Sequence, residues 1–239
     1  MSPEARTIFR ACLLLALLFP ASPAPAAEDR EFSILTQAAS DPGEAGEILV
    51  FVGEQVSYEP LEMNCGEGCW VFDSWYTARY RVSQWIHGVP PGEEITFEVA
   101  EHAVIAPFGH SRFALVFVEK HGEGLSLVKY QQVPVYPTAG GSFASCGPVW
   151  GRDPGDRRPL DPEEPELEDI AFLPPLVVDE TGRLSAHGRR YAHDPRWFEA
   201  VGDKIQCRRG VPVERLVPAI VRGHPTLLHA LPELSGDRR

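Results

Sequence analysis

Basic residues are in short supply. The 239-residue chain carries 22 Lys and Arg against 34 Asp and Glu, a formal net charge of −12. An acidic surface repels phosphate backbones and anionic lipid headgroups, so nucleic acid is not an expected partner. Compact catalytic signatures are also missing. There is no Gly-x-Ser-x-Gly elbow, no Gly-x4-Gly-Lys phosphate loop, no His-Glu-x-x-His and no dinucleotide fingerprint. Their absence lowers the expectation of an enzyme, while sites assembled from dispersed residues escape such patterns. After residue 26 no apolar run is long enough for a membrane helix. No internal repeat is visible.

The first segment reads differently. Arg6 and Arg10 precede the short apolar run Ala11–Phe19, and Ala24-Pro25-Ala26 has the small-x-small form of a cleavage site. Residues 1–26 are therefore expected to be a secretory signal. Cys12 lies within the apolar run, ahead of the small residues, where it does not mark a lipid-modified terminus. Cleavage removes two arginines and one acid, Glu4, so the remainder is more acidic still. The expected location is secreted or periplasmic, with no membrane span left.

Four cysteines follow: Cys65, Cys69, Cys146 and Cys207. An even number in an exported chain points to disulfides, with three possible pairings. Cys65 and Cys69 flank two flexible glycines and can close on each other, which would leave Cys146 to tether the C-terminal part through Cys207. A four-thiolate zinc site is the rival, but zinc sites favour two close Cys pairs and only one is present. Redox chemistry at Cys65 and Cys69 is disfavoured because three residues intervene and no helix start is evident. No metal or other cofactor is expected.

Residues 46–147 carry a run of strand signals. Glu47–Val56 alternates Ile48, Val50 and Val52 with Leu49 and Phe51, so both faces are apolar and both ask to be covered. Trp75–Trp85 places Tyr76, Ala78, Tyr80 and Val82 on one face and Thr77, Arg79, Arg81 and Ser83 on the other. Glu94–Val99 repeats the period, with Arg79 or Arg81 expected to face Glu98. Phe113–Glu119 is continuously apolar, and Leu125–Tyr136 follows the turn at His121–Gly124. Pro134 and Pro137 suit an edge. The fold class expected is all-β: a small five-stranded OB-type barrel with a short mixed α/β C-terminal appendage. Residues 27–45 read as a lead-in and 148–169 as an acidic, proline-rich linker. Residues 170–239 form the appendage, with a helix starting at Asp194-Pro195 and a second over Val213–Arg222, disturbed by Pro218. The last fifteen residues read as frayed.

Val52-Gly53-Glu54-Gln55-Val56, Tyr80-Arg81-Val82, Ile86-His87-Gly88, Ile95-Thr96-Phe97 and Ser145-Cys146-Gly147 follow one another in order. In this pattern residues 46–147 resemble the netrin-type module, the OB-fold barrel of the tissue inhibitors of metalloproteinases. The resemblance implies the fold. In those inhibitors an N-terminal cysteine chelates the protease zinc. Here the expected mature start is Ala27-Glu28-Asp29-Arg30, so that wedge is missing and no inhibitory residue carries over.

Three groups are candidate sites. Trp70, Phe72, Trp75 and Tyr76 lie at the cysteine loop, where an OB barrel tends to bind ligands, and aromatics there would stack on a sugar or peptide. The bland alternative is that they seal the barrel end. Glu101, His102, His110 and His121 flank the fourth strand and would suit zinc or copper if they converged, but read more simply as loop residues. Arg79 and Arg81 would bind an anion, or form the solvated outer face of a strand. The expected function is an exported, non-catalytic binding module for a protein, peptide or glycan, acting through residues 65–80. The alternatives are a metal-dependent hydrolase near His102 and His110, and a protease inhibitor of a non-chelating type.

Overall fold

The computed structural model describes residues 46–62, 72–89, 91–102, 111–122, 124–147, 165–178 and 195–236. The signal and lead-in, Cys65, Cys69, Trp70, His110 and most of the acidic linker lie outside the described residues.

Five strands close into a barrel: β1 (Ile48–Pro60), β2 (Ser74–His87), β3 (Glu94–Glu101), β4 (Phe113–His121) and β5 (Gly124–Pro134). Their order around the barrel is β1-β2-β3-β5-β4, with β3 and β5 parallel and the other pairs antiparallel. This is the OB-type arrangement that the sequence predicts. No edge is left at Pro134, which sits opposite Ala114 at the last rung of the β4–β5 ladder.

The closure depends on β1. Its first half pairs with β4, from Ile48 opposite Glu119 to Glu54 opposite Phe113. Its other edge pairs with β2 from Val50 to Pro60, with three register shifts on the way. Such shifts bend a strand and raise its twist, so one long strand can serve two walls. Gly53 lies at one of them, where a Cβ would come within 3.0 Å of the Tyr80 side chain.

Leu49 and Phe51 point into the barrel with Tyr80, Ile95, Phe97 and Val116. Phe97 meets Phe51 edge-on at 6.4 Å and Tyr80 at 5.6 Å between ring centroids. Ile48, Val50 and Val52 point outward into a second core with Leu115 and Phe117 of β4. Helix α1 (Val213–Gly223) covers that face with Leu216, Val217 and Ile220. Pro218 is tolerated within α1, whose buried stripe holds it against the barrel.

The expected fraying of the tail is overturned. Pro225–Ala230 forms a second helix, α2, in which Leu227 is fully buried, and Leu231 just beyond it is buried too. His224 caps α2, its Nδ1 accepting from the Leu227 amide at 3.4 Å, and Pro225 occupies the first turn. A helix at Asp194-Pro195 is overturned as well. Phe198–Val201 is a strand, β9, paired with β10 (Lys204–Cys207) around Gly202-Asp203. Gly202 adopts φ 63°, and a two-residue Gly-Asp hairpin turn outcompetes the proline-led helix start. Expected pairing of Arg79 or Arg81 with Glu98 also fails, because the register puts Thr77 opposite Glu98 and Arg81 opposite Glu94. Among the described residues no helix is long and apolar enough to cross a membrane.

Short strands complete the fold: β6 (Tyr136–Pro137) with β7 (Phe143–Ala144), and β8 (Glu168–Asp169) with β11 (Arg209–Gly210). The pairing of Glu168–Asp169 brings the end of the expected linker into the structure. Cys146 is bonded to Cys207, as expected, inside a small core with Phe172, Trp197 and Phe198. Backbone bonds tie the same junction: the Ser145 amide donates to Val211 and the Gly147 amide to Arg209, both at 2.9 Å. Gly210 is obligatory there, since a Cβ would fall 1.8 Å from the Ser145 carbonyl oxygen.

The disulfide joins residues 61 apart in sequence. Loop-closure entropy for such a link is worth about 4 kcal/mol. Replacing both cysteines, Cys146→Ser with Cys207→Ser, is expected to lower unfolding stability by about 2–4 kcal/mol in a urea titration. Ile220→Ala is expected to cost about 2–5 kcal/mol in the same assay, by opening a cavity between α1 and the barrel.

Candidate functional site

At one end of the barrel β1 ends, β2 begins, β3 ends and β4 begins. The inward phase of β3 runs Ile95, Phe97, Val99, and the next inward position is Glu101. The period that builds the core thus drives a carboxylate into it. Glu101 is 3% exposed, and its Oε1 has no hydrogen-bond partner. Burial pushes its carboxyl up from the ordinary 4.5 to about 7; the Lys129 charge pulls it down and Asp73 pushes it up further.

Three more elements converge on this mouth. From β1 comes Tyr58, whose hydroxyl is buried and also lacks a hydrogen-bond partner. Burial first, and the neighbouring Glu101 second, hold its phenol well above the ordinary range. Its ring lies 4.9 Å from that of Tyr76 on β2. Just ahead of β2, Asp73 gathers two basic side chains. Lys129 Nζ donates to Asp73 Oδ2 at 2.9 Å, and His102 Nδ1 lies against Oδ1 without an aligned hydrogen bond.

Lys129 reaches the mouth because β5 bulges. The β4–β5 register jumps from Val116 opposite Gln132 to Val118 opposite Leu127, so the residues between loop out. Tyr130 sits within the bulge at φ 64°, a left-handed conformation that bulky residues rarely adopt, and is 43% exposed. The Lys129 ammonium lies 5.5 Å from the Tyr130 ring centroid. Bulges beside sites re-aim side chains, and backbone strain collects where function holds it in place.

The sequence candidates fall out as follows. Glu101 and His102 are adjacent at the mouth. His121 is not with them: it follows Glu119, which pairs with the first residue of β1, whereas Glu101 pairs with Ser74, beyond the rung at the last residue of β1. These are opposite ends of the barrel, so the expected convergence fails for His121. Among the described residues no three His, Cys, Asp or Glu side chains gather as a metal site. Tyr76 is buried in the barrel, Trp75 is half-buried, and Phe72 stands 62% exposed at the rim. Arg79 and Arg81 lie on the outer wall among acids: Arg81 meets Glu94 at 3.1 Å and Glu54 at 3.8 Å, and Arg79 meets Glu94 at 3.9 Å. Tyr58, Asp73, Lys129 and Tyr130 escaped the sequence reading. The aromatics at the cysteine loop and the Glu101-His102 pair point at this end from the sequence, and the inward phase of β3, carried one step past Val99, is the signal for Glu101.

Comparison with family models, curated proteins and solved structures finds no match for this chain.

The raised Glu101 carboxyl has a defined consequence for stability. Its folded value of about 7 exceeds the ordinary 4.5, so its contribution is complete below pH 4.5 and is lost as pH rises through 7. The difference corresponds to about 3 kcal/mol at most. Urea midpoints of the wild type are expected to carry this decline between pH 5 and 8. Glu101→Gln is expected to flatten it; parallel pH profiles for the two proteins would refute the assignment.

Proposed function

We propose that the chain is an exported, non-catalytic binding module whose peptide or glycan partner seats on the barrel mouth around residues 65–80. The observation that carries the reading is Phe72, a large aromatic side chain left 62% exposed at the rim of a polar, partly unsatisfied mouth. An aromatic ring in that position supplies contact area at small entropic cost, with hydrogen-bonding groups beside it to set orientation. The barrel topology supports it by analogy, since OB-type barrels bind through the first long loop and the adjoining strands. Export rests on the leader-like residues 1–26. Arg79 and Arg81 belong to the outer edge of this surface, with their charge already met by Glu54 and Glu94.

The test is a screen of the full mature chain on peptide and glycan arrays. Hits are expected to weaken about tenfold in Phe72→Ala and Trp75→Ala proteins that keep their melting temperature. An Arg79→Ala/Arg81→Ala protein is expected to retain them. Hits indifferent to both aromatic substitutions would remove the reading.

A second reading, hydrolysis near His102 and His110, draws support from two carboxylates in contrasting settings: Asp73 facing Lys129 and His102, and Glu101 buried with Oε1 unbonded. It requires that His102→Ala with His110→Ala abolish an activity, and a metal in its metal-dependent form. The binding module is expected to tolerate both changes and to show no stoichiometric metal by native mass spectrometry.

A further inference from the structure

We infer that the barrel mouth binds an organic ammonium group, with Glu101 as its anchoring carboxylate and the Tyr58–Tyr76 ring pair as its wall. This rests on the reading that the mouth is the binding surface, and adds the chemistry of what enters it.

Among the described residues two carboxylates and two basic side chains share the mouth, and both basic groups lie against the same acid. Lys129 takes one oxygen of Asp73 and His102 faces the other. Glu101, the more deeply buried carboxylate, is left with Oε1 unbonded. A buried carboxylate oxygen without a hydrogen bond is costly, and the Lys129 charge offsets only part of the burial. A leucine at this position would continue the inward pattern Ile95, Phe97, Val99 at no penalty.

The second unbonded group narrows the ligand. Tyr58 Oη is also buried without a partner, and it lies within electrostatic reach of Glu101. The Glu101 oxygen accepts and the Tyr58 hydroxyl can accept as well as donate, so the pair suits a group rich in donors. An ammonium has three donors and no acceptor, and a carboxylate or phosphate has the reverse. The walls agree. Tyr58 and Tyr76, 4.9 Å apart and tilted by 38°, offer aromatic surface to a cation. The chain's net charge of −12 attracts such ligands at a distance. Among the described residues, the charged and titratable groups set around Glu101 are Tyr58 from β1, Asp73 and Tyr76 at the start of β2, His102 at the end of β3, and Lys129 from β5. A bound cation favours ionised Glu101, so binding strengthens as pH rises through 7 and releases protons below that point.

The experiment is calorimetric titration of the full mature chain with n-butylammonium, against n-butanol as the uncharged control. A trilysine peptide and a glucosamine trisaccharide form two further arms, each paired with its N-acetylated form, and separate a peptide amine from an amino sugar. Saturable binding of the ammonium and none of the alcohol is expected. Glu101→Gln is expected to weaken it at least tenfold and to abolish proton release measured at pH 6.5 in buffers of different ionisation enthalpy. Tyr58→Phe keeps the ring, removes the acceptor, and is expected to weaken binding severalfold; it serves if the Gln variant does not fold. Three results each overturn the inference: no amine bound by the wild type, equal binding by Glu101→Gln, or equal binding of free and acetylated forms. If it falls while array hits remain sensitive to Phe72→Ala, the mouth stays a binding surface for uncharged partners.

Discussion

A strand that is apolar on both faces cannot be left with either face in water, and β1 imposes that constraint on the whole molecule. Its inward residues, Leu49 and Phe51, need a closed barrel around them. Its outward residues, Ile48, Val50 and Val52, need a second layer, which the barrel strands cannot supply. The C-terminal helices exist to meet that need. Leu216, Val217, Ile220 and Leu227 form one core with the outer face of β1 and β4, so the tail is part of the fold rather than an ornament on it. The Cys146–Cys207 bond and the close approach at Gly210 hold the segment in between, so that α1 starts beside the face it must cover.

With its outer wall sealed over β1 and β4, the barrel leaves the buried oxygens of Glu101 and Tyr58 unbonded at one end. The same alternation that fills the interior carries Glu101 inward at the end of β3. A stable barrel has no use for that carboxylate, and the bulge that brings Lys129 to the mouth forces Tyr130 into a left-handed backbone. Two departures from an easily folded sheet at the same end are what the proposed binding role draws on, since strain and buried polar groups tend to persist where something other than stability maintains them. The acidic composition, the exposed ring of Phe72 and the unbonded oxygens of Glu101 and Tyr58 are the observations on which the proposed ammonium ligand rests.

Much of the barrel was legible in the chain. Period-two alternation assigned Tyr76, Ala78 and Tyr80 to the interior, and Ile95, Phe97 and Val99 with them. Double-sided apolar runs in β1 and β4 announced a covered outer face. Local signals failed where two of them competed. Asp194-Pro195 is a good helix start, but Gly202-Asp203 is a good hairpin turn, and pairing of Phe198–Val201 with Lys204–Cys207 decided between them. The tail looked frayed because its prolines and glycines break long helices, and the burial of Leu227 supplied what local propensity lacked. His121 was grouped with Glu101 because both flank β4, and the two flanks of a strand are its opposite ends.

By itself the sequence determined the period of each strand, the pairing of Cys146 with Cys207 as one of three possibilities, and the sign of the surface charge. These are local or additive properties, readable from spacing and count. Only the tertiary structure decided which register β2 keeps with β3, that β5 bulges at Tyr130, and that Tyr58, Asp73, Glu101, His102 and Lys129 meet at one mouth. That convergence depends on barrel closure, which brings together residues far apart in the chain through contacts that no stretch of sequence encodes alone.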